Sequence, residues 1–418
     1  MKKIILGSIA LLLSYIALPC AGFSQGNPVF YHGWWQGNLI RKDGENIVFN
    51  FQVKDSAGKT ILYIRNAAER LLVDNVQISG DSVHIQMPFF ESGFRARIQS
   101  DGHLEGIWVR RTATGEWTQP FAAYPDKEER FALVDGNATA SAQGRWATTF
   151  YDSKGNHSDT AVGEFFQKGN RVRGTFLTPT GDYRFLEGVV TGDSLKVSTF
   201  DGSHAYVFAA KIGPDHTLEG KMYASSFPPA RWSSTWNPNA TLPEGAAEAH
   251  LVNKDSTKLH FRFPDMDSNI VSINDPRFQG KVVIIQIMGS WCPNCMDETN
   301  FLSQYYQQNK DRGVEIVGLS YERTTNFQRS KKALEAFRNR FDVQYPFLIT
   351  GVTVSDPQRA PKTLPEIDAI KAFPSMLILD KKGNVRRIRA GFEGPGTGEH
   401  YAQFQKDFNG WVNALLAE

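Results

Sequence analysis

The sequence predicts two architectures in one chain: an N-terminal all-β region, built as a duplicated antiparallel barrel or sandwich, and a C-terminal α/β domain. Three observations carry this. Residues 28–236 alternate short runs rich in Val, Ile, Phe and Tyr with turns such as Lys42-Asp43-Gly44, Ser79-Gly80-Asp81 and Asp101-Gly102, without a useful helix-period stretch. The same region repeats itself. Beyond it, buried apolar runs alternate with amphipathic helical stretches.

The elements follow in chain order. Residues 1–25 read as a signal peptide: Lys2 and Lys3 open it, Ile4 to Leu18 is mostly apolar, and Cys20, Ala21 and Gly22 are small. The next reading is an uncleaved anchor over 4–23, which approaches the ~20 apolar residues of a spanning helix. A lipid-modified Cys20 is weaker, because Pro19 and Ala17 stand where such signals place a small residue and Leu. Either main reading puts the protein outside the cytoplasm, periplasmic or exported, with membrane contact only through the N-terminus.

Two β units are then expected, 28–135 and 136–236. Ile78-Ser79-Gly80-Asp81-Ser82-Val83 returns as Val190-Thr191-Gly192-Asp193-Ser194-Leu195, and His103-Leu104-Glu105-Gly106 returns as Thr217-Leu218-Glu219-Gly220. Trp34 has its counterpart in Trp146, and the shifts are about 112 to 114 residues. Trp34, Trp35, Trp108, Trp117 and Trp146 suit a barrel interior better than a ligand pocket. Residues 237–255, rich in Asn, Pro, Ala, Gly and Glu, read as a linker.

The third unit is 256–418. Val282 to Met288 reads as a buried strand, followed by a helix from Cys292 to about Gln308. A strand at Val314 to Ser320, a helix at Ser330 to Arg340, and strands at Ser375 to Leu379 and Val385 to Arg389 come next. Val352 to Thr363 reads as a surface loop. The last helix carries Tyr401, Phe404, Phe408, Trp411 and Leu415 on one stripe. Gly394-Pro395-Gly396-Thr397-Gly398 lacks the Lys and the preceding strand of a phosphate loop, and reads as a turn capping that helix.

Of three cysteines, Cys20 lies in the signal, leaving Cys292 and Cys295. Exported proteins commonly use cysteines as staples; here the only pair has the CxxC spacing that suits redox work. The net charge of +2 gives no reason to expect nucleic acid as a partner.

Disulfide exchange needs a thiolate that attacks and a thiol that resolves the mixed disulfide. At a helix start, unpaired N–H groups and the helix dipole favour negative charge, and the pKa of the first cysteine of such a motif falls from ~8.5 to between ~3.5 and 7.5. The second faces it one turn on. Cys292 is therefore the expected nucleophile and Cys295 the resolving thiol, the two forming the redox-active disulfide. Pro293 suits the first helical turn, having no N–H to leave unpaired.

Gly280-Lys281-Val282-Val283, Gly289-Ser290-Trp291-Cys292-Pro293-Asn294-Cys295, Glu298, Phe373-Pro374-Ser375 and Ile378-Leu379-Asp380-Lys381-Lys382-Gly383 resemble the TlpA-like branch of the thioredoxin superfamily. The resemblance covers roughly 256–418 and only weakly 351–363. It implies a thioredoxin-like fold and a periplasmic or membrane-facing reductant of protein disulfides. Pro374 matches the family's cis-proline beside the CxxC, which would turn the Phe373 backbone toward an extended substrate strand. Glu298 matches a family acid that can exchange a proton with Cys295. Gln286 stands where thioredoxin itself has a buried acid, and Gln cannot titrate. Trp291, Pro293, Phe373 and Pro374 are the expected substrate contacts. Ile287 and Met288 depart from the family's usual Phe-Trp, and Pro-Asn is not its commonest pair between the cysteines.

No metal or organic cofactor is implied. Zinc needs about four ligands, and the domain offers beyond the cysteines only His260 and His400, unsuitably spaced. A peroxidase would need Thr where Gly289 stands, and a copper chaperone a wider cysteine spacing. The partners expected are protein disulfides and an upstream, membrane-bound thiol electron donor. The competing reading is a ligand- or protein-binding β module with an accessory redox domain.

Overall fold

Alternating burial builds the first half of the chain: in Trp34–Leu39 every second side chain is buried. The computed structural model describes residues 29–134, 136–243, 245, 247–253, 255 and 257–418. The expected signal or anchor, with Cys20, lies outside the described residues. Among them no helix is long and apolar enough to cross a membrane.

Strands β1 (Trp34–Leu39), β2 (Ile47–Ser56), β3 (Lys59–Asn66), β4 (Glu69–Val73), β5 (Asn75–Ser79), β6 (Ser82–Gln86), β7 (Ser92–Ile98), β8 (Leu104–Arg111) and β9 (Glu116–Pro125) form one antiparallel sheet. Its order is β4-β3-β2-β1-β9-β8-β7-β6-β5. A second sheet holds β10 (Gly144–Tyr151), β11 (His157–Lys168), β12 (Arg171–Thr178), β13 (Gly181–Asp182), β14 (Leu186–Thr191), β15 (Ser194–Phe200), β16 (Ala205–Ile212), β17 (Thr217–Ala224) and β18 (Ala230–Trp236). There β12 pairs with both β11 and β14, so the sheet closes into a barrel.

Each sheet pairs its first strand with its second and its last. The matched turns fall alike: Gly80-Asp81 joins β5 to β6, and Gly192-Asp193 joins β14 to β15. Both glycines are left-handed, at φ 60° and 54°, as a two-residue hairpin turn requires.

It is Trp35, not Trp34, that shares the setting of Trp146: each indole N–H donates to the carbonyl four residues earlier, at 2.9 Å, and each ring is buried. Trp34 faces the other side of the pleat, half-buried under the Arg65 guanidinium. Trp35, Trp108 and Trp146 fill interiors, and Trp117 packs edge-on against Trp108.

A short hairpin of β19 (Arg262–Pro264) and β20 (Ile270–Ser272) leads into the α/β domain. Its sheet has the order β23-β22-β21-β24-β25, with β21 (Val282–Met288), β22 (Val314–Ser320) and β23 (Phe347–Ile349) parallel. β24 (Ser375–Leu379) and β25 (Val385–Ala390) run antiparallel. Val282, Ile284 and Met288 join the core with α1 (Pro293–Asn309), α2 (Phe327–Phe341) and α4 (Glu399–Ala417). Val283, Ile285 and Ile287 pack on the other face, against Leu259, Phe261 and Ile370.

Two expectations are corrected here. The segment 352–363 is a surface loop only in its first part, 352–358, where Ser355, Pro357 and Gln358 are exposed; it ends in a short helix, α3 (Arg359–Thr363), with Ala360 and Thr363 buried. The Thr363 hydroxyl bonds the Tyr321 hydroxyl at 2.6 Å, so the segment roofs the outer face of the sheet. In α4 the buried stripe is Phe404, Phe408, Val412 and Leu415. Trp411 stays half-buried, its ring 4.0 Å from the Arg387 guanidinium.

The β region docks on the α/β domain through mixed contacts. Phe89 meets Phe337 and Phe341 of α2, with centroids 5.0 and 5.4 Å apart. Arg329 grips the Glu91 carboxylate with bonds of 2.7–3.1 Å. Arg184, 2% exposed at its side chain, bonds Glu69, Asp201 and Asp297, which belong to the first sheet, the second barrel and α1.

Candidate active site

β21 runs into a tight turn, Gly289-Ser290-Trp291, that delivers Cys292 to the start of α1. Gly289 is required by close approach: a Cβ there would lie 2.2 Å from the Trp291 indole nitrogen. That nitrogen donates to the Tyr321 carbonyl at 2.9 Å. Behind the turn, buried Glu322 accepts the Ser290 N–H at 2.9 Å and its hydroxyl at 2.6 Å.

Cys292 is the N-cap of α1, with Pro293 in the first turn. Its Sγ accepts the Cys295 N–H at 3.1 Å, so an orphan helix donor points at the sulfur. The Cys292 thiol donates toward the Phe373 carbonyl at 3.4 Å. The Phe373-Pro374 peptide is cis. Phe373 also meets the Trp291 ring edge-on, at 5.4 Å. The four expected substrate contacts thus surround the sulfur or adjoin those that do. Both cysteines are free thiols, Cys292 5% exposed and Cys295 fully buried.

Burial, reinforced by the Cys292 sulfur, pushes the Cys295 thiol well above its ordinary range. Glu298 is buried in the same helix, and burial pushes its carboxyl up to about 8, against the pull of Gln286 and Arg389. The Gln286 amide donates to Glu298 Oε2 at 2.9 Å and to Thr299 Oγ1 at 3.1 Å. Glu298 Oε1 has no hydrogen-bond partner among the described residues. Gln286, which cannot titrate itself, is thus a direct neighbour of Glu298: the amide holds the acid.

Cys292 opens on a cleft of 530 Å³ between the domains. Its far wall is the second barrel: Asn294 Nδ2 donates to the Asp182 carbonyl at 3.2 Å, and the Ser203 hydroxyl to the Trp291 carbonyl at 3.2 Å. Tyr183, His204 and Tyr206 line it from the barrel, with Arg110 from the first sheet and Arg323 from the segment after β22. No local spacing marks these residues in the sequence, because they reach Cys292 from remote segments. His260 pairs with Glu366 at 2.9 Å and His400 with Glu164 at 3.0 Å, and neither lines the cleft. Among the described residues no group of three or more His, Cys, Asp or Glu is placed to hold a metal.

The Redoxin family model matches residues 247–403. A thiol-disulfide oxidoreductase ResA of Geobacillus kaustophilus (strain HTA426) is 26% identical over 144 residues, 34% of this chain and 73% of its own. Its namesake from Halalkalibacterium halodurans is 22% identical over 147 residues, 35% of this chain and 73% of its own. A solved thiol:disulfide interchange protein of the thioredoxin family from Chlorobium tepidum TLS is 20% identical, covers 38% of this chain and 96% of its own, and has a TM-score of 0.30. These matches cover the C-terminal part of the chain.

Proposed function

On the premise that the C-terminal domain is a TlpA-like thiol–disulfide oxidoreductase of the thioredoxin superfamily, we propose that this chain is an exported protein-disulfide reductase working through Cys292. One observation carries the assignment of roles. Cys292 Sγ sits on the helix N-cap, held by the Cys295 N–H and facing the Phe373 carbonyl, while Cys295 is buried behind it.

The Cys292 thiolate attacks one sulfur of a substrate disulfide, forming a mixed disulfide and releasing the other sulfur as a thiolate. Cys295 then gives up its proton and attacks Cys292 Sγ. The substrate leaves as its second thiolate, and the Cys292–Cys295 disulfide carries the two oxidising equivalents. Glu298 accepts the Cys295 proton. Trp291, Pro293, Phe373 and Pro374 position the substrate. A thiol donor outside this chain restores the pair, and residues 4–23 direct export or anchor the chain. The β region is a duplication with units 28–135 and 136–236, joined by the linker 237–255 to 256–418. Its common strand order and its equivalent hairpins support that reading.

The test is Cys295→Ser, which leaves the attacking sulfur and removes its resolver. We expect stable mixed disulfides on Cys292, separable on a non-reducing gel and identifiable by mass. Cys292→Ser should form none, and equal trapping by both variants would reverse or abolish the assignment.

A further inference from the structure

Two arginines line the cleft on which Cys292 opens, Arg110 from β8 and Arg323 from the segment after β22. Arg110 lies 5.3 Å from the Trp108 ring and 5.8 Å from Trp117, and Arg323 lies 5.3 Å from the Trp291 ring. Both line the cleft with Cys292, Pro293 and Phe373. Both are half-buried, and among the described residues neither guanidinium has a hydrogen bond or an ion pair. A guanidinium with five donors is rarely left so in a half-buried place.

The tryptophan faces hold the two planes in position without consuming their donors. The acidic groups of the same lining are turned elsewhere. The Asp182 carboxylate accepts the backbone N–H groups of Arg184 and Gly394 at 2.5 and 2.8 Å, and Asp159 accepts that of Thr160 at 2.8 Å. Burial and mutual repulsion lower the affinity of Arg110 for its proton, a cost that an anion between the two would relieve.

We propose that the cleft selects disulfides flanked by carboxylates, with Arg110 and Arg323 as the residues that bind them. This rests on the exchange reading above. The substrate places its disulfide at Cys292 Sγ and its carboxylates against the two guanidinium forks. The cleft volume lies within the range of small-ligand sites, and an extended acidic peptide carries the same chemistry as a small anionic disulfide.

The experiment is single-turnover oxidation of the reduced full-length chain by three small disulfides: oxidised glutathione (anionic), hydroxyethyl disulfide (neutral) and cystamine (cationic). A second arm uses two synthetic peptides with the same cystine loop, flanked by Glu or by Gln. We expect oxidised glutathione to react about tenfold faster than hydroxyethyl disulfide after correction for intrinsic reactivity, and cystamine slower still. The preference should shrink severalfold between about 50 and 500 mM salt. Arg110→Gln and Arg323→Gln should each reduce the ratio of anionic to neutral rates, a ratio in which any general loss of Cys292 reactivity cancels. A Glu over Gln preference in the second arm assigns polypeptide substrates; its absence beside a glutathione preference assigns small ones. Equal rates for all charges, or a ratio unchanged in both variants, overturns the proposal. A chain that reacts with no disulfide, the neutral one included, overturns the exchange reading itself.

Discussion

Glu298 lies one helical turn beyond Cys295, and its two oxygens have unequal surroundings: Oε2 takes the Gln286 amide, and Oε1 takes nothing among the described residues. With its carboxyl at about 8 in the fold and near ~4.3 in an unfolded chain, the folded state keeps a proton that the unfolded state has lost. Stability therefore falls as pH rises from about 4.5 to about 8. Glu298→Gln removes that slope. By denaturant titration at pH 5, 7 and 9, the variant should gain on the wild type as pH rises, on the order of 3–4 kcal/mol by pH 9. The chemistry should move the opposite way. On the proposed role for Glu298, only an ionised carboxyl can take the Cys295 proton, so the wild-type exchange rate should climb through about pH 8, and the variant should be slower there by about a hundredfold. Superimposable rate–pH profiles would remove Glu298 from the proton path.

The turn between β21 and α1 carries the chain from the strand to Cys292 at the helix start, and it has no room to spare at Gly289. Gly289→Ala would push the Trp291 indole off the Tyr321 carbonyl and shift the ring that meets Phe373. We expect a loss of about 1–3 kcal/mol and slower exchange with every disulfide, read as lowered melting temperature and lowered single-turnover rate. Unaltered Trp291 fluorescence and rate would show that the turn relaxes freely. Such elements were legible in the sequence because a buried strand, a CxxC and a helix-period run each write a local pattern. β21, β22 and β24 lie where their apolar runs place them. The pattern blurs where packing is decided by partners distant in sequence. Trp34 and Trp35 are adjacent and chemically identical, and only the pairing of β1 with β2 says which faces inward. The run 352–363 is mostly solvent-facing, as it reads, and only its end turns inward, where Thr363 meets Tyr321.

At the scale of the whole molecule, the active-site helix is not free of the β region. Arg184 forms two bonds to Asp297, at 2.8 and 3.0 Å, just after Cys295, while also bonding Glu69 at 2.6 Å and Asp201 at 3.1 Å. Nothing in the sequence marks this residue, since an arginine between two aromatics in a strand-rich region is ordinary and its partners lie up to 115 positions away. The cluster sets Arg184 against three carboxylates, with His204 beside Asp201. Burial pushes the Glu69 carboxyl up, with Arg184 opposing. Burial also acts against ionised Asp201, but His204 and Arg184 hold it well below the usual carboxylate range. Arg184→Met keeps much of the volume and strands the acids, and breaking a buried pair in this way costs about 3–5 kcal/mol. At pH 7.5 the variant should show that loss in denaturant titration, with faster amide exchange in the first turns of α1 and in residues 178–206. The deficit should narrow below about pH 5, because carboxylates that gain protons no longer need the cation. A variant with wild-type stability and wild-type protection of α1 would show that the domains hold together without Arg184, leaving Phe89 on α2 and the Glu91–Arg329 pair as the contacts that fix the cleft over Cys292.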